Sequence, residues 1–393
     1  MSVALLLFFF TGIAAFSCGR NNEPETPGKG EPTKPVFTMG VDLSYVNQLE
    51  EHGAVYRDKG VVTDPFALMK NNGANTVRVR LWHHPQWVRT VYGNPSTPLY
   101  SGFEDVARTI QRSKNQGMKV LLDLHYSDSW ADPSKQVPPA AWAAITSLSV
   151  LRDSVYNYTF SVLKKLDARS LMPDMVQIGN EINCGMMMTG TSAGFPGLNG
   201  CNNQWSSLGS VINSAIQAVR DASANAAVKP LIALHVADPK NVEWWFSQAI
   251  SQGKILDFDI AGFSYYPLWH TEKSLASLPA LVTRLRNSLD RQVMILETAY
   301  PWTNLGNDGY TNLFGSQPPL EGFPFTPQGQ LDFMVKLTED MKEAGCNGIF
   351  YWEPAWITST MKDPWGTGSS WENAAFFDFN GNLLPVAGYM NRQ

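Results

Sequence analysis

Two acidic side chains close apolar runs in this chain. Glu181 ends "MVQIGNE", and Glu297 follows "VMIL" in "VMILETAYP". A charge at the end of a buried strand is costly unless it is paired or used. Two carboxyls facing each other suit glycoside hydrolysis: one protonates the leaving oxygen, and the other attacks the anomeric carbon or activates water. Those roles need pKa values split by different neighbours. The plainer reading is that either Glu is an ion-pair partner of Arg78 or Arg80. The pair at matched positions favours chemistry over that reading. No Cys or His spacing resembles a zinc site. His83 and His84 are adjacent, so on a strand they point to opposite sides and cannot act as a metal pair.

Elements must bring the two carboxyls together. Eight short apolar runs recur: "FTMGVDLS", "TVRVRLW", "KVLLDLHYS", "MVQIGNE", "PLIALHVA", "DIAGFSYYP", "VMILETAYP" and "NGIFYWEP". Helix-like stretches such as "FEDVARTIQRSKNQG" and "LRDSVYNYTFSVLKKLDA" lie between them, several closing on Gly or Asn-Gly. Continuous apolar strands alternating with helices predict a parallel sheet covered by helices. The count matches an α/β fold of the (β/α)8 TIM-barrel type, with a single catalytic domain. A doubly wound sheet would carry a Gly-rich phosphate loop after its first strand, and "MGVDLSYV" is not one. The strands then end in one polar ring: Asp42, Arg78, His125, Asn180 with Glu181, His235, Tyr265 with Tyr266, Glu297 and Trp352. Strands four and seven face each other across that mouth, where barrel chemistry sits.

"GNE" after strand four and "ET" at strand seven resemble the retaining barrel glycosidases of clan A. More narrowly, "GVDLSYV", "NTVRVRLWHHP", "LLDLHYSDSWADPSKQ", "VQIGNEIN", "GFSYYPLWH", "ILETAYPW" and "GIFYWEPAW" resemble the endo-β-1,4-galactanases of glycoside hydrolase family 53. The resemblance implies Glu181 as acid/base, Glu297 as nucleophile, a covalent glycosyl-enzyme and net retention, with carboxyls about 5–5.5 Å apart. Asn180 would hydrogen-bond the sugar 2-hydroxyl. Arg78 would hold Glu297 ionised, and Tyr265 would donate to the same carboxylate. His125 lines the subsite where the bond breaks or else is a satisfied barrel histidine. His235 reaches Glu181 through a hydrogen-bond network. Trp352 floors the cleaved sugar. Trp82, Trp130 and Trp302 are stacking platforms or core packing. Asp128 accepts a sugar hydroxyl or closes an Asx-turn. Glu353 alternates with Trp352 and points away from the mouth. Some relatives bind structural calcium after strand seven. Here "TNLGNDGYTN" offers Asp308 and Asn312 as candidate ligands, but a single carboxylate departs from the acidic version. Catalysis itself requires no cofactor.

The 393-residue chain is 44% hydrophobic and 17% charged, with net charge −5 and no basic patch, so nucleic acid is not an expected partner. "VALLLFFFTGIAAFSC" is too short to span a bilayer and reads as a signal segment. "AAFSC" resembles a bacterial lipoprotein signal, which would leave Cys18 acylated; a plain secretory signal is the alternative. Residues 1–18 are then the leader, 19–35 a Pro- and Gly-rich tether and 36–393 the catalytic domain. The expected product is exported and lipid-anchored, at the outer membrane and facing the cell surface, touching membrane only through that anchor. Cys184 and Cys201 could form a disulfide in an exported protein, and Cys346 reads as a buried thiol. A monomer acting on β-1,4-galactan, the pectic side chain, is the expected enzyme. The same chemistry on mannan, xylan or glucan, and a glycan-binding lipoprotein that does not cut, are the alternatives.

Overall fold

A computed structural model describes Met1 and residues 36–272 and 274–392. The leader, the tether and Cys18 lie outside the described residues. Eight parallel strands form a closed barrel: β1 Thr38–Asp42, β2 Thr76–Leu81, β3 Lys119–Leu124, β4 Met175–Ile178, β5 Leu231–Ala237, β6 Ile260–Tyr265, β7 Gln292–Thr298 and β8 Gly348–Tyr351. Each pairs with its sequence neighbours, and β1 closes the ring onto β8 and β2. All eight expected strands are present.

Alternation divides each strand between two environments. On β2, Val77, Val79 and Leu81 join the large core cluster beneath the helices, while Arg78 and Arg80 fall outside it. A separate apolar cluster of Leu121, Met175, Ala233, Ile260, Met294, Leu296 and Phe350 floors the barrel. Small residues make room for it. A Cβ on Gly40 would lie 2.1 Å from Phe350, and one on Gly262 would lie 2.2 Å from Leu296. Above this floor the inward positions turn polar, and that layer carries the site.

Two local features aim the carboxyls. After β4, Gly179 (φ 76°) and Glu181 (φ 48°) are both left-handed, which folds the chain sharply at the barrel mouth. On β7 the pairing to β6 runs Phe263 with Ile295 and then Ser264 with Glu297, skipping Leu296. Leu296 already faces the barrel floor, so strict alternation would send Glu297 outward. The bulge turns it back to the mouth, a common device beside active sites. Beyond β4, Cys184 and Cys201 are joined in a disulfide. Cys346 is a buried free thiol, pushed up to about 11 by burial.

Candidate active site

Glu181 and Glu297 meet at the base of a cleft of about 610 Å³. One oxygen from each carboxyl, together with a His235 ring nitrogen, lies within 4.8 Å of the others. That gap is closer to the ~5–5.5 Å of retaining glycosidases than to the ~6.5–9.5 Å that inverting ones need to admit a water.

Different neighbours separate the two carboxyls. Glu297 accepts from Arg78 Nη1 at 2.8 Å and from Tyr266 Oη at 2.8 Å. Burial raises its pKa, but the guanidinium and the phenol pull against that and favour the ionised form. Arg78 is itself buried. It also binds Asp42 at 3.0 Å, Asp123 at 2.8 Å and Asn180 Oδ1 at 2.8 Å. The charge that faces Glu297 is thereby fixed in place.

Among the described residues, no cation pairs with Glu181. Burial, with the Glu297 charge second, pushes its pKa up to about 8. Asn180 is oriented by its Nδ2 donating to the Ala131 carbonyl at 2.8 Å, so its Oδ1 can only accept. His235 Nδ1 lies 2.9 Å from that oxygen, 3.2 Å from the Gln177 side-chain nitrogen and 3.4 Å from the Glu181 backbone N–H, which donates to it. Burial and the Arg78 charge hold this imidazole neutral. Its Nε2 is hydrogen-bonded to the Ser264 hydroxyl oxygen at 2.8 Å. The Ser264 hydroxyl donates to Glu181 Oε1 at 2.6 Å.

Six tryptophans line the cleft: Trp130, Trp269, Trp352, Trp356, Trp365 and Trp371. Trp130 and Trp352 have ring centroids 5.7 Å apart. Behind Trp130, the Arg80 guanidinium is held between the Tyr45 ring at 3.9 Å and the Trp130 ring at 4.1 Å. Glu353 binds Arg80 at 2.6 Å and is fully buried, away from the cleft.

Of the expected residues, Asn180, Glu181, Glu297, Trp130 and Trp352 line the cleft, with Arg78 directly beneath. Five others do not. Tyr265 belongs to the core cluster because Ser264 already faces inward, and the next inward residue is Tyr266. Trp82 is fully buried, its Nε1 donating to His125 Nδ1 at 3.3 Å. His125 lies in that buried layer, its Nε2 bonded to Asp123 at 3.0 Å. Asp128 accepts from the backbone N–H of His84 at 2.9 Å and of Ala140 at 2.8 Å, which ties loops together. Trp302 donates to the Glu372 carbonyl at 3.0 Å and packs on Phe379. His83 packs against Trp142 and Tyr158, while His84 is exposed.

Sequence reasoning missed Tyr266 and Ser264 as carboxyl partners, although counting by twos along "GFSYY" would have found both. Trp371 sits in a long loop with no such signal.

The sequence model of the family described as Glycosyl hydrolase family 53 matches residues 38–389. An arabinogalactan endo-beta-1,4-galactanase of Cellvibrio japonicus (strain Ueda107) is 44% identical over 352 residues, covering 89% of each protein. An endo-beta-1,4-galactanase of Bacillus subtilis (strain 168) is 33% identical, covering 91% of this chain and 86% of that one. Among solved structures, the GH53 catalytic domain of Ignisphaera aggregans aligns with TM-score 0.79 and 34% identity, covering 93% of this chain and 98% of that one.

Proposed function

The chain belongs to glycosyl hydrolase family 53, and from that premise we propose that it cleaves internal β-1,4-galactosidic bonds of galactan with net retention. The observation that carries the reaction is the carboxyl pair within 4.8 Å, with Glu297 facing Arg78 at 2.8 Å and the Glu181 carboxyl accepting, among the described residues, only from the Ser264 hydroxyl. The substrate rests on the relatives, whose names specify β-1,4-galactan.

In the first step the Glu297 carboxylate attacks the anomeric carbon as the glycosidic bond breaks. The Glu181 proton passes to the leaving oxygen. In the second step Glu181, now a carboxylate, takes a proton from water. The resulting oxygen attacks the same carbon and releases Glu297. Two inversions give retention. Asn180 borders the cleft beside both carboxyls, where its amide suits the 2-hydroxyl.

Neither step needs a metal or cofactor. The loop after β7 offers one carboxylate, Asp308, where calcium sites recruit several. Asp308 spends its oxygens on the backbone N–H of Tyr310 at 2.7 Å and of Ser369 at 2.8 Å. Asn312 turns its amide toward the Leu305 carbonyl at 3.4 Å. Among the described residues, the one cluster of three potential ligands is Glu181, His235 and Glu297. There Arg78 already occupies the cation's role.

The enzyme is read as a monomer, exported and anchored to the outer membrane through an acylated Cys18, facing outward where long polymers are met. Loss of fatty-acid labelling in Cys18→Ala would support the anchor, and protease shaving of intact cells would test the facing. For the activity, the test is incubation with linear galactan and separately with mannan, xylan and cellulose, with the anomer of the first product read by proton NMR. Oligomers from galactan alone, released as the β-anomer, are expected. Release of the α-anomer would overturn the mechanism, and activity on another polymer would overturn the substrate.

A further inference from the structure

His270 borders the cleft just beyond Tyr266, and the reaction above gives it no part. β6 stops at Tyr265, so the Tyr266 N–H has left the strand ladder and needs an acceptor. The His270 ring supplies one: Tyr266 N–H donates to Nδ1 at 3.0 Å. In return, His270 N–H donates to the Tyr266 carbonyl at 2.8 Å. One residue thereby holds both backbone polar groups of Tyr266.

The held segment matters because of what it carries. The Ser264 hydroxyl meets Glu181 at 2.6 Å, and the Tyr266 phenol meets Glu297 at 2.8 Å. A single strand end therefore touches both carboxyls. We propose that His270 is a positioning residue for the hydrolytic reaction, clamping the Ser264–Tyr266 segment so that both carboxyls keep their separation. The proposal rests on the glycosidase reading. It requires a bare Nδ1, and the surroundings supply one. Burial pushes the imidazole down to about 4, helped by Lys240 and opposed by Asp238, the charged groups at the start of helix Pro239–Ser251. The ring is thus neutral wherever Glu181 is protonated and Glu297 ionised.

Three variants separate this role from packing. His270→Asn keeps an acceptor oxygen near the Nδ1 position. His270→Leu keeps bulk without an acceptor. His270→Gln moves its oxygen further out and serves if the leucine variant does not fold. Without the acceptor, kcat on whichever polymer the wild type cleaves is expected to fall by about 10²-fold, the scale of a misplaced catalytic group. KM should stay within about two-fold, and His270→Asn should recover most of the loss. A loss confined to KM would make His270 a sugar contact and overturn the proposal. Equal losses in all three variants would do the same. Carboxyl titration by carbon-13 NMR gives a substrate-free readout: the Glu181 and Glu297 titrations should both move in His270→Leu or His270→Gln. Unmoved titrations would overturn the clamp even if the wild type cleaves galactan. Moved titrations would support it even if galactan stays intact, an outcome that overturns only the functional reading.

Discussion

Glu181 and Glu297 are the same side chain, and only their neighbours make them an acid and a nucleophile. Arg78 and Tyr266 stabilise charge on Glu297, while burial and the Glu297 charge push the Glu181 pKa up. Replacing Glu181 with Gln should cost about 10²–10⁴ in kcat on galactan, the range for a lost general acid. Glu181→Ala should still be glycosylated by an aryl galactoside whose leaving group needs no proton. Mass spectrometry should then detect a galactosyl adduct on Glu297, and an adduct elsewhere would reverse the roles. The pH profile follows from the same assignment. Activity should fall at alkaline pH as Glu181 loses its proton near 8, and at acid pH as Glu297 gains one. The linkage to stability has a defined sign. The folded pKa of Glu181, about 8, lies above its unfolded value, about 4.3. Between those values the folded state holds a proton that the unfolded state has released, so this residue's contribution to stability falls as pH rises through the window. Glu181→Gln removes that loss. Its melting temperature should match the wild type near pH 4 and exceed it increasingly toward pH 8. A constant difference across pH would refute the raised pKa.

At the scale of the elements, the strands deliver the site and their ends decide who enters it. "FSYYP" places Ser264 and Tyr266 inward and Tyr265 outward. Tyr266→Phe should therefore lower kcat by about ten-fold, in proportion to one charge-assisted hydrogen bond. It should also shift the acid limb upward, since Glu297 loses a donor that favours its charged form. Tyr265→Phe should leave the pH profile of kcat in place. A reversal of these two results, read from pH profiles of both variants, would show that the register of β6 is misassigned. The barrel and its two acids were legible because hydrophobic runs, helix stops and strand-end polarity are local signals. The partners were not, for reasons that differ by residue. Glu297 faces the mouth only because β7 bulges at Leu296, and alternation alone would turn it away. Trp82 and His125 are polar-edged groups that found each other in a buried layer, where a donor and an acceptor satisfy one another as well as a sugar would. Asp128 and Trp302 took backbone partners from distant loops, and no spacing in a single sequence reports such pairings.

For the whole molecule, the cleft decides what length of polymer is held. Its tryptophans come from loops after β3, β6 and β8, on several sides of the carboxyls, so sugar units can stack on more than one side of the broken bond. Trp130 is braced from behind by Arg80, and that guanidinium is tied to Glu353 beside Trp352. Two aromatic faces are thus supported from one buried ion pair. The chain carries net charge −5, while galactan is neutral, so long-range attraction contributes little to capture. Raising salt should change kcat/KM on galactan by less than about two-fold, unlike a charge-steered system. Binding must then come from stacking and hydrogen bonds spread along the chain. If so, Trp352→Ala should raise KM for long galactan more than for the shortest oligomer that is cut. Cuts should also fall at random along the polymer from the start. Sampled over time, wild-type digests of linear galactan should lose viscosity well before reducing ends accumulate, with mid-sized oligomers appearing first. If a single short product rose from the earliest time point while viscosity persisted, cleavage would be confined to chain ends, and the cleft would act as a terminal pocket rather than an open groove.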